Sequence, residues 1–276
     1  MIVVKNVGYT YMKGTPFEKV ALENISFDAA EGEVLAIAGH TGSGKSTLIQ
    51  IVAGLIDLQS GSVTIDELPV SDKKIRRLVG IVFQYPEHQL FEETVEKDIA
   101  FGPKNFGLSE AEISARVEEA MRQVGLPADL KNVSPFELSG GQKRRVAIAG
   151  ILALKPKYLI LDEPTAGLDP LAKRNLLGEI FGAVKKSGVT IILVSHNMED
   201  IARFANRVIV LAQGKILFVG TPRELFSREK ILARAGLEPP PVTQLLHKLN
   251  INQQALTLDE AEHLILRNLN KKACRL

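Results

Sequence analysis

The sequence predicts an α/β fold with a core of parallel strands. Two observations carry that prediction. Short apolar runs alternate with helix-like segments, as where helices join parallel strands. The runs Val34–Ala38, 80–83, 158–161, Thr190–Val194 and 208–211 have the length of buried strands. Most lead into Gly, Gln, Asp or Ser, residues suited to the carboxyl ends of such strands, where ligands bind. A third observation sets the first ~30 residues apart as an antiparallel β layer, because their runs are joined by tight turn signals instead of helices.

Taken in order, Ile2-Val3-Val4, Val7-Gly8-Tyr9-Thr10-Tyr11 and 22–27 read as the strands of that layer, with a turn at Gly14-Thr15-Pro16. The Val34–Ala38 strand is followed by a helix-forming run at 47–52. Residues 108–124 read as an amphipathic helix, with Ser109 as N-cap and Glu112 completing a capping box. Gly125-Leu126-Pro127 ends it, and a further helix is expected from about 141 to 154, before Pro156. The chain between the 80–83 strand and Tyr158 is thus a mostly helical insertion, about 85–156. After Gly220-Thr221-Pro222 the pattern is helical to the end, broken at Pro239-Pro240-Pro241, so 1–222 and 223–276 are expected as a main body and a C-terminal helical extension.

Composition narrows the function classes. A net charge of +2 over 276 residues demands neither a nucleic acid nor an anionic membrane surface. The single cysteine, Cys274, excludes a disulfide framework or a cysteine-rich metal site and fits a reducing compartment. Met1 runs straight into Ile2-Val3-Val4, without a secretory pattern. The longest apolar run, 146–154, is well short of the ~18–20 residues of a spanning helix.

Gly39-His40-Thr41-Gly42-Ser43-Gly44-Lys45-Ser46 fits G-x-x-x-x-G-K-[ST] in full, between a strand and a helix. Glycines let the backbone N–H groups converge on phosphate oxygens, and the helix N-terminus adds its positive end. Lys45 is expected on the β- and γ-phosphates, the Ser46 hydroxyl on Mg²⁺, and Thr47 completes the loop. Tyr158-Leu159-Ile160-Leu161-Asp162-Glu163 is an apolar strand ending in two carboxylates. Asp162 is expected to hold Mg²⁺, directly or through water. Glu163 would orient and deprotonate an attacking water.

Leu138-Ser139-Gly140-Gly141-Gln142 resembles the signature motif of ABC ATPases, and the remaining motifs stand in that family's order. Gln84 matches the Q-loop, Ala166-Gly167-Leu168-Asp169 the D-loop, and His196 the switch histidine. Tyr11, or else Tyr9, matches the aromatic residue that stacks on adenine. The resemblance implies a P-loop NTPase of the ABC cassette type. It places Gln84 on Mg²⁺ or the attacking water and His196 on the γ-phosphate. It also implies that Ser139, Gly140, Gly141 and Gln142 close over ATP bound to a second ATPase subunit.

Residues 84–105, Gly14-Thr15-Pro16-Phe17-Glu18, His40 and Arg144-Arg145-Val146-Ala147-Ile148-Ala149-Gly150 further resemble the ATPase subunits of energy-coupling factor (ECF) importers. The loop at 14–18 and the P-loop favour the A-prime type, whereas Lys143 is closer to the other type. The resemblance implies a peripheral protein on the cytoplasmic face of the cell membrane. It would pair with a second ATPase as homo- or heterodimer, and with a membrane scaffold subunit and a substrate-binding membrane subunit. The cargo would be vitamins or transition-metal ions. Glu87, Glu92 and Glu93 become candidate partners for scaffold arginines, with Phe91, Ile99 and Phe101 as apolar contacts or local core. The leucine-rich tail would either hold two ATPases together or pack on its own cassette. The alternatives are an ATPase of another ABC importer and a soluble ABC ATPase without a transporter.

Overall fold

The structure, a computed structural model, describes residues 1–185, 187–249, 251, 253 and 255–273. Cys274 lies outside the described residues. In chain order the elements are β1 (Ile2–Tyr11), β2 (Lys19–Ala29), β3 (Val34–Ala38), α1 (Lys45–Val52), β4 (Ser60–Ile65), β5 (Leu68–Pro69), α2 (Ile75–Leu78) and β6 (Val79–Val82). Then follow α3 (Val95–Asn105), α4 (Glu110–Gln123), α5 (Gly140–Leu152), β7 (Tyr158–Asp162), α6 (Pro170–Lys185), β8 (Thr190–Val194) and α7 (Met198–Phe204). The chain ends with β9 (Arg207–Ala212), β10 (Lys215–Gly220), α8 (Pro222–Phe226), α9 (Glu229–Ala235), α10 (Pro241–Lys248) and α11 (Leu258–Ala273). Short 3₁₀ turns lie at Pro86–Gln89, Ala128–Asn132 and Pro135–Glu137.

The described chain divides into two compact units. The first comprises Met1–Ala29, Glu33–Pro69 and Ile192–Leu276. It holds an antiparallel sheet in the order β2-β1-β4-β5. The two runs expected at 2–4 and 7–11 are one strand. Ile2, Val4 and Val7 are buried, which breaks strict alternation. Asn6 adopts φ 50° and the register slips between Val4 and Val7. An extra residue in a strand shifts the side-chain phase, so the bulge keeps Val7 on the inner face. Asn24, at φ 53°, marks the matching irregularity in β2, between buried Leu22 and Ile25.

The same unit carries β3 parallel to β9, and β10 antiparallel to β9. Ala36, Ala38, Val208 and Val210 pack there with Ile201, Leu225, Phe226 and Leu232 from the later helices. Fully burying one such aliphatic or aromatic side chain stabilises by about 1.5–3 kcal/mol. A separate small core, Val242, Leu246, Ile251, Ala255 and Ala261, joins α10 to α11.

The second unit comprises Ala30–Gly32 and Val70–Ile191, so β8 begins here and continues into the first unit. Its strands β6 and β7 run parallel, with Val79 opposite Tyr158 and Val82 opposite Leu161. Its helices α3 and α4 pack against α5. Ile113, Val117, Ala120 and Met121 form the buried stripe of α4. That i, i+4, i+7, i+8 spacing is one face of a helix. Its start is as expected: Ser109 accepts from the Glu112 N–H, while Glu112 accepts from the Ser109 N–H at 3.0 Å.

Candidate nucleotide site

In the first unit the phosphate loop links β3 to α1. Gly44 is the N-cap of α1, at φ 106°, and no side chain caps the first-turn N–H groups. No acidic residue occupies that turn either. The positive end of α1 is therefore left to an anion. A Cβ on Gly39 would stand 2.3 Å from the Leu211 carbonyl oxygen, and one on Gly44 2.5 Å from that of Ala21. Only glycine allows the loop to be clasped this closely between β9 and β2. The buried Lys45 ammonium donates to the carbonyls of Gly39 (2.8 Å) and His40 (3.0 Å), which turns it across the loop. Ser43 is fully buried, and its carbonyl accepts from the Gly214 N–H at 3.1 Å. His40, Thr41, Gly42 and Ser46 stay exposed, while Thr47 is buried and meets the Tyr11 hydroxyl at 3.1 Å. Tyr11, in turn, packs edge-to-face on Tyr9, with centroids 4.9 Å apart. A cleft lined by Tyr11, Lys19, Ala21, Gly42, Gly44, Lys45, Ser46 and Thr47 opens here, so Tyr11 and the phosphate loop border one cleft.

His196 follows β8 in the same unit and is exposed. Two local bonds fix its place. The Ser195 N–H donates to Ile37 of β3 (3.3 Å), and the Ser195 hydroxyl accepts from the Asn197 N–H (3.0 Å). Asn197 then caps α7 by accepting from Glu199 and Asp200. His196 is thereby held beside the strand that delivers the phosphate loop.

The second unit gathers the other motifs. Gln84 is exposed just past β6; Asp162 ends the neighbouring parallel strand β7 and Glu163 follows it. Glu163 has φ 46°, a left-handed conformation for a residue with a side chain. A turn in which the Ala166 N–H donates to the Glu163 carbonyl (3.1 Å) holds it. Asp169 caps α6, accepting from Leu171 (3.0 Å) and Ala172 (2.9 Å). Ser139 is the N-cap of α5 in a full capping box with Gln142. Its hydroxyl donates to Gln142 Oε1 at 2.9 Å, so it must turn away from Gln142 to donate to a phosphate. Gly140 and Gly141 are exposed, and Cβ atoms there would meet open space.

The structure bears on two expectations around Gln84, and Ile99 takes the second of the roles open to it. Ile99 is fully buried and belongs to the local core. Glu87 is held within the chain: both its carboxylate oxygens accept from Arg144, at 2.6 and 2.9 Å. Burial pushes the Glu87 carboxyl up, but the Arg144 guanidinium and its own backbone N–H outweigh this and hold it below the usual carboxylate range. Glu93 pairs with Lys97 across one helical turn, a solvated pair. Phe91 and Phe101 are exposed and meet edge-to-face, with centroids 4.8 Å apart. Sequence reasoning missed Arg144 as a residue with a task. Its signal was a charged residue at i−4 from Ile148, on a helix otherwise rich in apolar residues.

A strand–loop–helix phosphate cradle, a second helix N-terminus opened by Ser-Gly-Gly and a carboxylate pair on a parallel strand define a nucleotide-hydrolysing cassette. The family model for ABC transporters matches residues 22–166. Over 97% of this chain and 97% of the relative, the sequence is 54% identical to the energy-coupling factor transporter ATP-binding protein EcfA2 of Caldanaerobacter subterraneus subsp. tengcongensis. Among solved structures, cbiO1 from Clostridium perfringens, described as part of the ABC transporter complex cbiONQ, is 37% identical with a TM-score of 0.75, covering 89% of this chain and 98% of that one. A dimeric post-hydrolysis cassette, MJ0796 with ADP and Pi, is 32% identical with a TM-score of 0.71, covering 80% and 99%. The chain belongs to the ABC ATPase family, among the ATP-binding subunits of ECF transporters.

Proposed function

We propose that this chain hydrolyses Mg-ATP in sites shared with a second ATPase subunit, and that it thereby drives an importer through a membrane scaffold. One observation carries the shared site. Gly140 and Gly141 open α5 in ordinary helical backbone, and among the described residues no atom beyond their own helix lies within 4 Å of where their Cβ atoms would stand. Glycine is a poorer helix former than alanine, by an amount that reaches about 1 kcal/mol in a helix interior. No internal clasp offsets that cost, unlike at Gly39 and Gly44. The room suits phosphate oxygens arriving from outside the chain, on a nucleotide held by the phosphate loop of a partner.

The residue roles follow from this reading. Tyr11 stacks on the base, and the N–H groups of 39–47 and Lys45 hold the phosphates. Ser46, Gln84 and Asp162 offer oxygen ligands, which suit a hard cation such as Mg²⁺. That ion would neutralise charge developing on the phosphates. Glu163 activates the attacking water, and His196 hydrogen-bonds to the γ-phosphate. Ser139, Gly140, Gly141 and Gln142 act on the partner's ATP, and Asp169 borders the same junction.

Phe91 and Phe101, with Glu92 and Glu93 beside them, form an apolar spot edged by acid on α3 and the segment before it. That chemistry fits a scaffold helix carrying arginine. The loop at 14–18 and the phosphate-loop sequence favour the A-prime type, paired with a second ATPase subunit as homo- or heterodimer. Vitamins or transition-metal ions are the cargo class, selected by a separate membrane subunit. The exposed leucines of the tail, residues 223–276, contribute to pairing of the two ATPases. The location is the cytoplasmic face of the membrane, peripheral; among the described residues no helix is long and apolar enough to cross it.

Affinity purification of the full chain from membranes tests this. A second ATPase, a scaffold and a small substrate-binding membrane protein should co-purify. Recovery of the chain with none of them would overturn the transporter reading.

A further inference from the structure

Arg144 lies in the second turn of α5 with a side chain only 3% exposed. Its guanidinium grips two other segments at once. Nε and Nη2 donate to Glu87 Oε2 (2.9 Å) and Oε1 (2.6 Å), in the turn behind Gln84. Nη1 donates to the Ala166 carbonyl at 2.7 Å. The N–H of that same Ala166 residue donates to the Glu163 carbonyl at 3.1 Å. A continuous hydrogen-bonded line therefore runs Glu87–Arg144–Ala166–Glu163. It crosses 57 residues of sequence at its first link and 22 at its second.

Packing reinforces the line. The Tyr85 ring lies 5.8 Å from the Arg144 guanidinium carbon. The Tyr85 edge is also 3.6 Å from where a Cβ on Gly167 would stand. Tyr85 and Glu163 both hold left-handed backbone, at φ 56° and 46°. Such conformations persist only where their surroundings over-determine them. Arginine suits the clamp because its planar fork fixes several bonds in one geometry, which a lysine ammonium does not.

We propose that Arg144 is a positioning residue that clamps the segment behind Gln84 to the turn holding Glu163, so that displacement at Glu87 moves the water-activating carboxylate. The clamp rests on the reading of Glu163 as the base. Its direction is physical: a shift of that carboxylate by about 1 Å is enough to cost on the order of a hundredfold in rate. The phosphate loop and its bound ATP are not members of the line.

The test is a double-mutant cycle, because coupling between sites is established by non-additivity and not by adjacency. Arg144→Lys, Glu87→Gln and the double variant are prepared in the full chain purified with its partner ATPase. Each single variant should lower kcat about tenfold while ATP affinity and KM stay within twofold. The double variant should fall no further than the worse single. Adding Arg144→Lys to Glu163→Gln should cost nothing more. Multiplicative losses, an unchanged kcat, or kcat and ATP affinity falling together with the melting temperature would overturn the clamp. The base reading fails separately, if Glu163→Gln alone keeps its turnover; the Arg144–Glu87 cycle still reports whether the two act as one unit.

Discussion

Glu163 stands in a backbone conformation that costs a residue with a side chain on the order of 1–3 kcal/mol. The turn through Ala166 maintains it. Gln preserves shape and hydrogen bonding but cannot take a proton. Glu163→Gln should therefore bind ATP as the parent does and lose about 10²–10⁴ in turnover, the usual contribution of a general base. It should also accumulate as an ATP-bound dimer; single-turnover hydrolysis and sedimentation read both effects. Glu87 makes a prediction of its own. Its carboxyl is held below the usual range in the folded chain, so its contribution to stability is complete above the ordinary value of about 4.3 and is lost as pH falls through the lowered one. The melting-temperature gap between the parent and Glu87→Gln should thus be constant from neutral pH to about 5 and narrow in stronger acid. A gap that instead closes between pH 8 and 6 would assign the effect to another group.

At the scale of elements, α4 and α5 begin with the same device. Ser109 with Glu112 and Ser139 with Gln142 form two capping boxes. Removing a capping hydroxyl costs about 0.5–2 kcal/mol. Ser109→Ala and Ser139→Ala should therefore lower the melting temperature alike, but only Ser139→Ala should also depress ATP turnover. Equal turnover in the two would leave the α5 cap purely structural. Ser139→Arg, which fills the open ground before Gly140 and Gly141, should abolish turnover when every signature in the complex carries it. The α4 cap was legible because a cap is local, readable within four residues; the matching box at α5 went unread, although a helix start near 141 was expected. Strands β3 and β8 were legible too, found at their predicted limits, since uninterrupted apolar runs between turn signals have one physical reading. By contrast β10, Lys215–Gly220, went unread: it pairs at one edge with β9 and mixes exposed and buried positions. The runs at 2–4 and 7–11 were read apart because the bulge at Asn6 interrupts alternation without ending the strand. Motif residues were legible by type and order. The Arg144–Glu87 pair was not, because its meaning lies in a contact across 57 residues that no local pattern encodes.

For the whole molecule, the proposed shared site rests on two helix N-termini that suit phosphate. The α1 terminus is uncapped and built into a clasped loop, and the α5 terminus opens on two glycines whose Cβ positions meet no described atom beyond the helix within 4 Å. Pairing then needs surface that holds two chains together between turnovers. The α10–α11 hairpin has its own small core and still exposes Leu245, Leu249, Leu258 and Leu266 at 44%, 44%, 70% and 51%. Burying such side chains at a subunit junction would yield about 25 cal/mol per Å² of apolar area, and polar replacements would forfeit it. Leu245→Glu with Leu249→Glu should leave the fold and the ATP affinity of the isolated chain intact, because both positions already face solvent. In the complex the same pair should weaken ATPase pairing about tenfold or more. Turnover would then depend steeply on protein concentration and recover toward the parent value at high concentration. Measuring specific activity across a hundredfold dilution checks this: parallel curves for the variant and the parent would show that the tail packs only on its own cassette.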